Sequence, residues 1–246
     1  MSAPTNAALP PRIYLIRHGE TAWSLTGQHT GRTDLPLTSH GEDEARELAQ
    51  HLKDISFSYV ITSPLLRARQ TCELAGLKAT AEIEQDLAEW DYGDYEGQRS
   101  VDIRRQHDDW NVFRDGCPAG ESPEKVAVRA DRLIVHLRTL EGNVALFSHG
   151  QFGRVLAARW IGLQLIDAQH FSLDTASLSI LDHDPHHPEV AIIDLWNSSK
   201  NIMSDLVPIS RTAAIDIKKR ALERWENEGG ELQDQGMSRT AKKNES

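Results

Sequence analysis

The chain has 246 residues, 39% of them apolar and 26% charged, with 27 Lys and Arg against 37 Asp and Glu for a net charge of −10. That length suits one large domain or two small ones, burying roughly 70–75% of the unfolded surface without covalent staples. The acidic balance excludes the broad basic footprint of a nucleic-acid binder while leaving room for a local cationic pocket.

Residues 1–11 carry no pattern and are expected to be flexible. Residues 13–16, Ile-Tyr-Leu-Ile, form an apolar run that predicts a buried strand of a parallel sheet. The run empties into the polar loop Arg17-His18-Gly19-Glu20. Residues 39–54 predict a helix. Ser39 and Glu42 have capping-box spacing, and Ala45, Leu48, Ala49 and Leu52 mark one face. A second strand over 57–62 leads through Ser63-Pro64 into a helix over 65–74, with Pro64 suited to its opening position. A third strand falls at 81–87. Residues 89–120 are rich in Gly, Asp and aromatics and mix loop with short helix, and 122–140 are helical. Residues 143–147 predict another buried strand, ending in Ser148-His149-Gly150 before a helix over 152–161. Residues 177–181 and 190–195 predict an antiparallel pair across a Pro- and His-rich turn.

Strands alternating with helices predict an α/β fold with the sheet covered on both faces. The body is one domain over 12–200. In the extension over 201–246, one amphipathic helix at 209–227 and then a disordered polar tail are expected. Ile215, Leu222 and Trp225 on that helix suit docking on the body or on a second subunit, which leaves a homo-oligomer open. Cys72 and Cys117 are too few for a disulfide framework or a cysteine-built zinc site. Residues 1–11 lack the features of a secretory signal, and no apolar run approaches the ~18 residues of a membrane span. A cytoplasmic protein with no membrane or nucleic-acid partner is expected.

Two buried strands end in His-Gly, at His18-Gly19 and His149-Gly150. Sites in open α/β sheets lie outside the carboxyl ends of the strands, so both histidines stand where chemistry usually occurs. Arg67 falls at the start of a helix, where the macrodipole disfavours a cation, and its presence points to an anion held there. Arg69 reads as a surface cation. His183, His186 and His187 lie in a turn without metal-ligand spacing and read as solvated. Cys72 reads as a small core residue, and Cys117, in a loop near the candidate site, as open to oxidation.

Four blocks occur in order: Arg17-His18-Gly19-Glu20-Thr21, Ser63-Pro64-Leu65-Leu66-Arg67-Ala68-Arg69-Gln70-Thr71, Glu89 with Tyr92-Gly93, and Ser148-His149-Gly150. Together they resemble the histidine phosphatase superfamily, which includes the cofactor-dependent phosphoglycerate mutases, over about residues 12–198. The resemblance implies a three-layer α/β/α sandwich with a mostly parallel central sheet. It implies that His18 is the nucleophile that accepts a phosphoryl group, and that Arg17, Arg67 and His149 surround that group. Glu89 would protonate the leaving alcohol and then activate water. Its arrival in the protonated form would need nearby phosphate or burial, which favours an acidic optimum. No metal and no cofactor is implied, because arginines and histidines supply the positive charge. Ser24, Thr30, Gly31 and Gln151 match substrate-contacting positions, and Glu121 and Ser122 belong to a loop resembling the family's capping insertion. Ser122 also suits the cap of the next helix.

Phosphatase and mutase share the first step. The phosphoglycerate mutases carry Glu-Arg-His-Tyr-Gly where this chain has Glu89-Trp90-Asp91-Tyr92-Gly93. An acidic residue there disfavours a bisphosphorylated acid, and the insertion between Gly97 and Gly120 is short for a mutase lid. The chain most resembles the branch of broad-specificity acid phosphatases and sedoheptulose-1,7-bisphosphatases. A phosphomonoesterase of small phosphorylated substrates, sugar phosphates foremost, is therefore expected. A phosphoglycerate mutase and a catalytically weak phospho-ligand binder are the alternatives. Tyr92 is expected to wall a sugar ring, and Trp90 to belong to the core.

Overall fold

The computed structural model describes residues 10–198. The elements in order are β1 (Arg12–Arg17), α1 (Ala22–Thr26), α2 (Ser39–Leu52), β2 (Tyr59–Thr62), α3 (Leu66–Leu74), β3 (Ala81–Ile83), α4 (Ser100–Arg104), α5 (Val112–Asp115), α6 (Pro123–Leu137), β4 (Asn143–Ser148), α7 (Gly150–Trp160), β5 (Leu178–His183) and β6 (Ala191–Ser198). The helix expected over 209–227, the tail after it and nearly all of 1–11 lie outside the described residues.

Side chains alternate across a strand, so a strand covered on both faces is apolar at consecutive positions. Strand β1 sends Ile13 and Leu15 into one apolar cluster with Val126, Leu133, Phe152 and Leu156 of α6 and α7. It sends Tyr14 and Ile16 into a second cluster with Leu48 and Leu52 of α2 and Ala68 and Cys72 of α3. Strand β4 splits likewise, Val144 and Leu146 to the first and Ala145 and Phe147 to the second. The result is the expected α/β/α sandwich. Its six strands run in the order β3-β2-β4-β1-β5-β6. The pairings β2–β3, β2–β4 and β1–β4 are parallel, and β1–β5 and β5–β6 antiparallel.

Several element ends differ from expectation for local reasons. The α2 cap is Thr38, whose Oγ1 accepts from Gly41 N. Ser39 is already helical, and Glu42 turns outward to Arg46 at 2.8 Å, so no capping box forms. Pro64 stands outside α3, whose extended cap residue is Leu65. The first helical donors go instead to Ser63 Oγ, from Leu65 N at 3.2 Å, and Asp34 Oδ1, from Leu66 N at 2.6 Å. Strand β3 is only three residues, because Glu84 caps a 3₁₀ turn at Gln85–Leu87. Helix α7 starts at Gly150, two residues early. His183 is not solvated: it ends β5 buried against Trp160, at 5.1 Å between ring centroids, while His186 and His187 are exposed. Arg69 is exposed and Cys72 buried, as expected.

Candidate active site

Strand register assembles the site. In the parallel β1–β4 pair Arg17 lies opposite Ser148, so the two strands leave the sheet side by side and His18 N donates to Ser148 O at 3.0 Å. On the far side of β4, β2 delivers Ser63, whose N donates to Phe147 O at 2.9 Å. Three strand exits thus bring Arg17, His18, Ser63 and His149 to one edge of the sheet. The His18 and His149 ring centroids are 5.3 Å apart.

His18 Nδ1 lies 2.7 Å from Gly19 O. A carbonyl only accepts, so Nδ1 carries the hydrogen and Nε2 keeps its lone pair. Burial, then the Arg67 and Arg17 charges, push the His18 pKa well below the usual imidazole value, and the ring is neutral at pH 7. Gly19 is required here by space, since a Cβ would meet Gly41 O at 2.4 Å. The His18 loop is also tied to α3, as Thr71 Oγ1 accepts from Gly19 N and donates to Arg67 O at 2.7 Å.

His149 is fully buried, with Nε2 at 2.6 Å from Ser63 Oγ. Burial, and then the Arg67 charge, also lower its pKa well below the usual value. Arg67, 0% exposed, gives Nη2 to Gly31 O at 2.8 Å and Nη1 to Thr33 O at 3.1 Å. Burial lowers its pKa to about 10 against the opposing pull of Glu89, and it stays cationic at pH 7. Arg17 donates Nη1 to Leu173 O. It lies over the first turn of α7, where a Cβ on Gly150 would come within 3.3 Å of its Nε.

Glu89 is held by the N-terminus of α7. Its Oε1 accepts from Trp90 N at 2.8 Å and Phe152 N at 2.9 Å, and its Oε2 from Gln151 N at 3.1 Å. Helix N-termini favour such an acceptor. Oε2, with one donor, is the less engaged oxygen.

Buried polar groups are normally paired, and an unpaired one costs about 1–3 kcal/mol. Arg17 Nε, Arg67 Nε and His149 Nδ1 are buried without a hydrogen-bond partner among the described residues. Three such nitrogens beside one neutral His18 form a cradle for a group rich in acceptor oxygens.

The cavity at this edge is lined by Arg17, His18, Arg67 and Glu89, and by Ser24, Thr30, Tyr92 and Gln151 from the expected binding set. His149, Gly31, Glu121 and Ser122 do not line it, and His149 adjoins it through the His18 ring. Gly31 serves through its carbonyl to Arg67. Glu121 pairs with Arg129 at 2.9 Å and accepts from Asp91 N, and Ser122 caps α6 by accepting from Lys125 N. Trp90 is a core residue, 0% exposed, with Nε1 donating to Glu121 O. Tyr92 lines the cavity, its pKa raised by burial and by Glu89. Cys117 is half-buried, and burial with Asp91 pushes its thiol up to about 12, which removes the thiolate that oxidation requires.

Gln28, His29, Arg154 and Leu173 also line the cavity and were missed. His29 stacks on Tyr92 at 4.3 Å, bonds Ser100 Oγ through Nε2, and has its pKa lowered to about 4, chiefly by burial. Arg154 stands one helical turn after Gln151 and donates to its Oε1 at 2.8 Å. That i, i+3 spacing was a usable signal.

Comparison with known proteins places the chain in a family. The sequence profile of the histidine phosphatase superfamily (branch 1) matches residues 13–197. An acid phosphatase of Mycobacterium tuberculosis is 41% identical over 188 residues, 75% of this chain and 92% of that one. The sedoheptulose 1,7-bisphosphatase of Saccharomyces cerevisiae is 37% identical over 63% of this chain and 69% of its own. A solved structure of an open reading frame from Mycobacterium tuberculosis superposes with a TM-score of 0.71 at 38% identity, over 76% of this chain and 97% of the other. The chain belongs to the histidine phosphatase superfamily, and it is a phosphatase. Among the described residues no helix is long and apolar enough to cross a membrane.

Proposed function

We propose that this protein hydrolyses phosphate monoesters of small metabolites, sugar phosphates foremost, through a phosphohistidine at His18 and without a metal. The observation that carries the proposal is that Arg17 Nε and Arg67 Nε, of two cavity-lining arginines, are unpaired beside a neutral His18, with His149, its Nδ1 also unpaired, 5.3 Å away between ring centroids. In the first step the monoester monoanion hands its proton to Glu89 Oε2, His18 Nε2 attacks phosphorus, the ester P–O bond breaks, and Glu89 passes that proton to the departing oxygen, releasing the alcohol. In the second step water attacks the phosphohistidine, Glu89 takes the proton back, and the P–N bond breaks to give inorganic phosphate. The two arginines oppose the charge on the transferring oxygens in both steps. Ser63 Oγ, which already accepts from Leu65 N, gives its hydrogen to His149 Nε2 and leaves Nδ1–H for the phosphoryl group. Sugar phosphates are favoured by the polar lining from Gln28, Thr30 and Gln151 beside Tyr92 and by the bisphosphatase named above. A cytoplasmic site of action belongs to the same proposal.

Mutase activity is disfavoured by the same block. Trp90 is committed to the core, and Asp91 accepts from Gly93 N at 2.9 Å, so neither position offers a cation to a second phosphate. The test is phosphate release from sugar phosphates, phosphoglycerates and p-nitrophenyl phosphate in the presence of chelator, with His18→Ala as control. Release that resists chelator and is lost in the variant is expected. Transfer that requires a bisphosphorylated primer would favour the mutase, and saturable binding with no turnover the binder.

A further inference from the structure

Arg67 is aimed by two carbonyls, Gly31 O and Thr33 O, so its direction is only as fixed as the turn that presents them. That turn is held from the other side by one carboxylate. Glu96 Oε1 accepts from Arg32 N at 2.5 Å, and Oε2 accepts from Thr33 N at 2.9 Å and from the Thr33 hydroxyl. An added side chain on the turn would displace this carboxylate. Gly31 has φ +54°, and a Cβ there would stand 2.1 Å from Glu96 Oε1. The segment bearing Glu96 is laced to the one before the turn, with Gly97 N donating to His29 O and His29 N to Gln98 O, both at 2.8 Å.

We infer that Glu96 is a positioning residue for catalysis, which clamps the 31–33 turn so that its two carbonyls hold the Arg67 guanidinium with Nε directed at the transferring phosphoryl group. This deepens the phosphatase reading and rests on it. Glu96 is not among the cavity-lining residues, so its effect reaches substrate only through Arg67 and the turn. Electrostatics alone makes the opposite prediction, because removing a negative charge near the site would tighten the binding of an anion.

The experiment is a double-mutant cycle on the full chain, with E96Q, R67K and the double variant. It reads orthovanadate affinity by calorimetry and kcat and KM for p-nitrophenyl phosphate. Lysine at 67 keeps a charge but lacks the fork that meets two carbonyls, so it no longer depends on the clamp. We expect E96Q to weaken vanadate binding and lower kcat by between about tenfold and a hundredfold, as for a misaimed transition-state contact. On the R67K background E96Q should add less than about twofold, because coupled residues do not add. T33V, which removes one of the three donors, gives a milder loss of the same kind and serves if E96Q folds poorly. Unchanged or tighter vanadate binding in E96Q, or an equal loss on both backgrounds, would overturn the inference alone. A wild-type protein that neither binds vanadate nor turns over would overturn the phosphatase reading beneath it.

Discussion

At His18 a single carbonyl fixes which ring nitrogen carries the hydrogen, and burial with the nearby cations keeps the ring neutral. Both His18 and His149 sit well below the ordinary value of 6.5 when folded, because burial and nearby arginines disfavour a second positive charge. In an NMR titration the signals of both rings should therefore stay still between about pH 7.5 and about pH 5.5, where a free imidazole would titrate. Movement of either with a midpoint near 6.5 would contradict the assigned environment. Stability follows with a definite sign. Below about 6.5 the unfolded chain binds protons that the folded chain refuses, so the melting temperature should fall as pH drops through that value. Glu89 makes a separate prediction. If it protonates the leaving oxygen, Glu89→Gln should slow single-turnover release of the alcohol from an alkyl phosphate by about 10²–10⁴-fold while sparing the first release of p-nitrophenol, which needs little help, with steady-state turnover of both slowed through the water step. Equal losses on both substrates in that first release would argue against an acid role for Glu89.

Among the elements, the strands were the most readable and the helix starts the least. A parallel strand covered on both faces announces itself as an unbroken apolar run, and residues 13–16 and 143–147 both fell inside observed strands. Caps depend on which of several polar neighbours reaches an orphan N–H, and distant residues decided that. Asp34, 32 positions before Leu66, takes one of the first donors of α3, which no local pattern around Pro64 encodes. Helix α7 starts early because Glu89, 62 and 63 positions before Gln151 and Phe152, accepts from their backbone N–H groups. Ser122 could be read from sequence as a cap or as a substrate contact, and its bond to Lys125 N supports the cap. Ser122→Ala should accordingly cost about 1 kcal/mol of stability and leave kcat/KM unchanged. A fall in kcat/KM without a loss of stability would restore the contact.

Over the whole molecule, a chain of net charge −10 brings half-buried Arg17 and buried Arg67 to one sheet edge beside a neutral histidine. The residues of that edge were legible because three of the four short blocks mark strand exits, and parallel strands leave a sheet on one side. The rest of the cavity wall was harder to read. Gln28 and His29 reach it through the pairing of their segment with residues 97–99, where Gln28 Nε2 donates to Gly97 O at 2.7 Å, and that contact spans 69 positions. Gly31 was expected to touch substrate and instead shapes the turn behind Arg67, a difference visible only once Glu96 is seen beside it. The proposed reaction turns on the covalent step at His18. The most direct test is to quench the protein during turnover of a radiolabelled phosphate ester and map the label. An acid-labile phosphoryl group on the peptide containing His18, absent in His18→Ala, is the predicted result. Label on another residue, or retained in that variant, would contradict it.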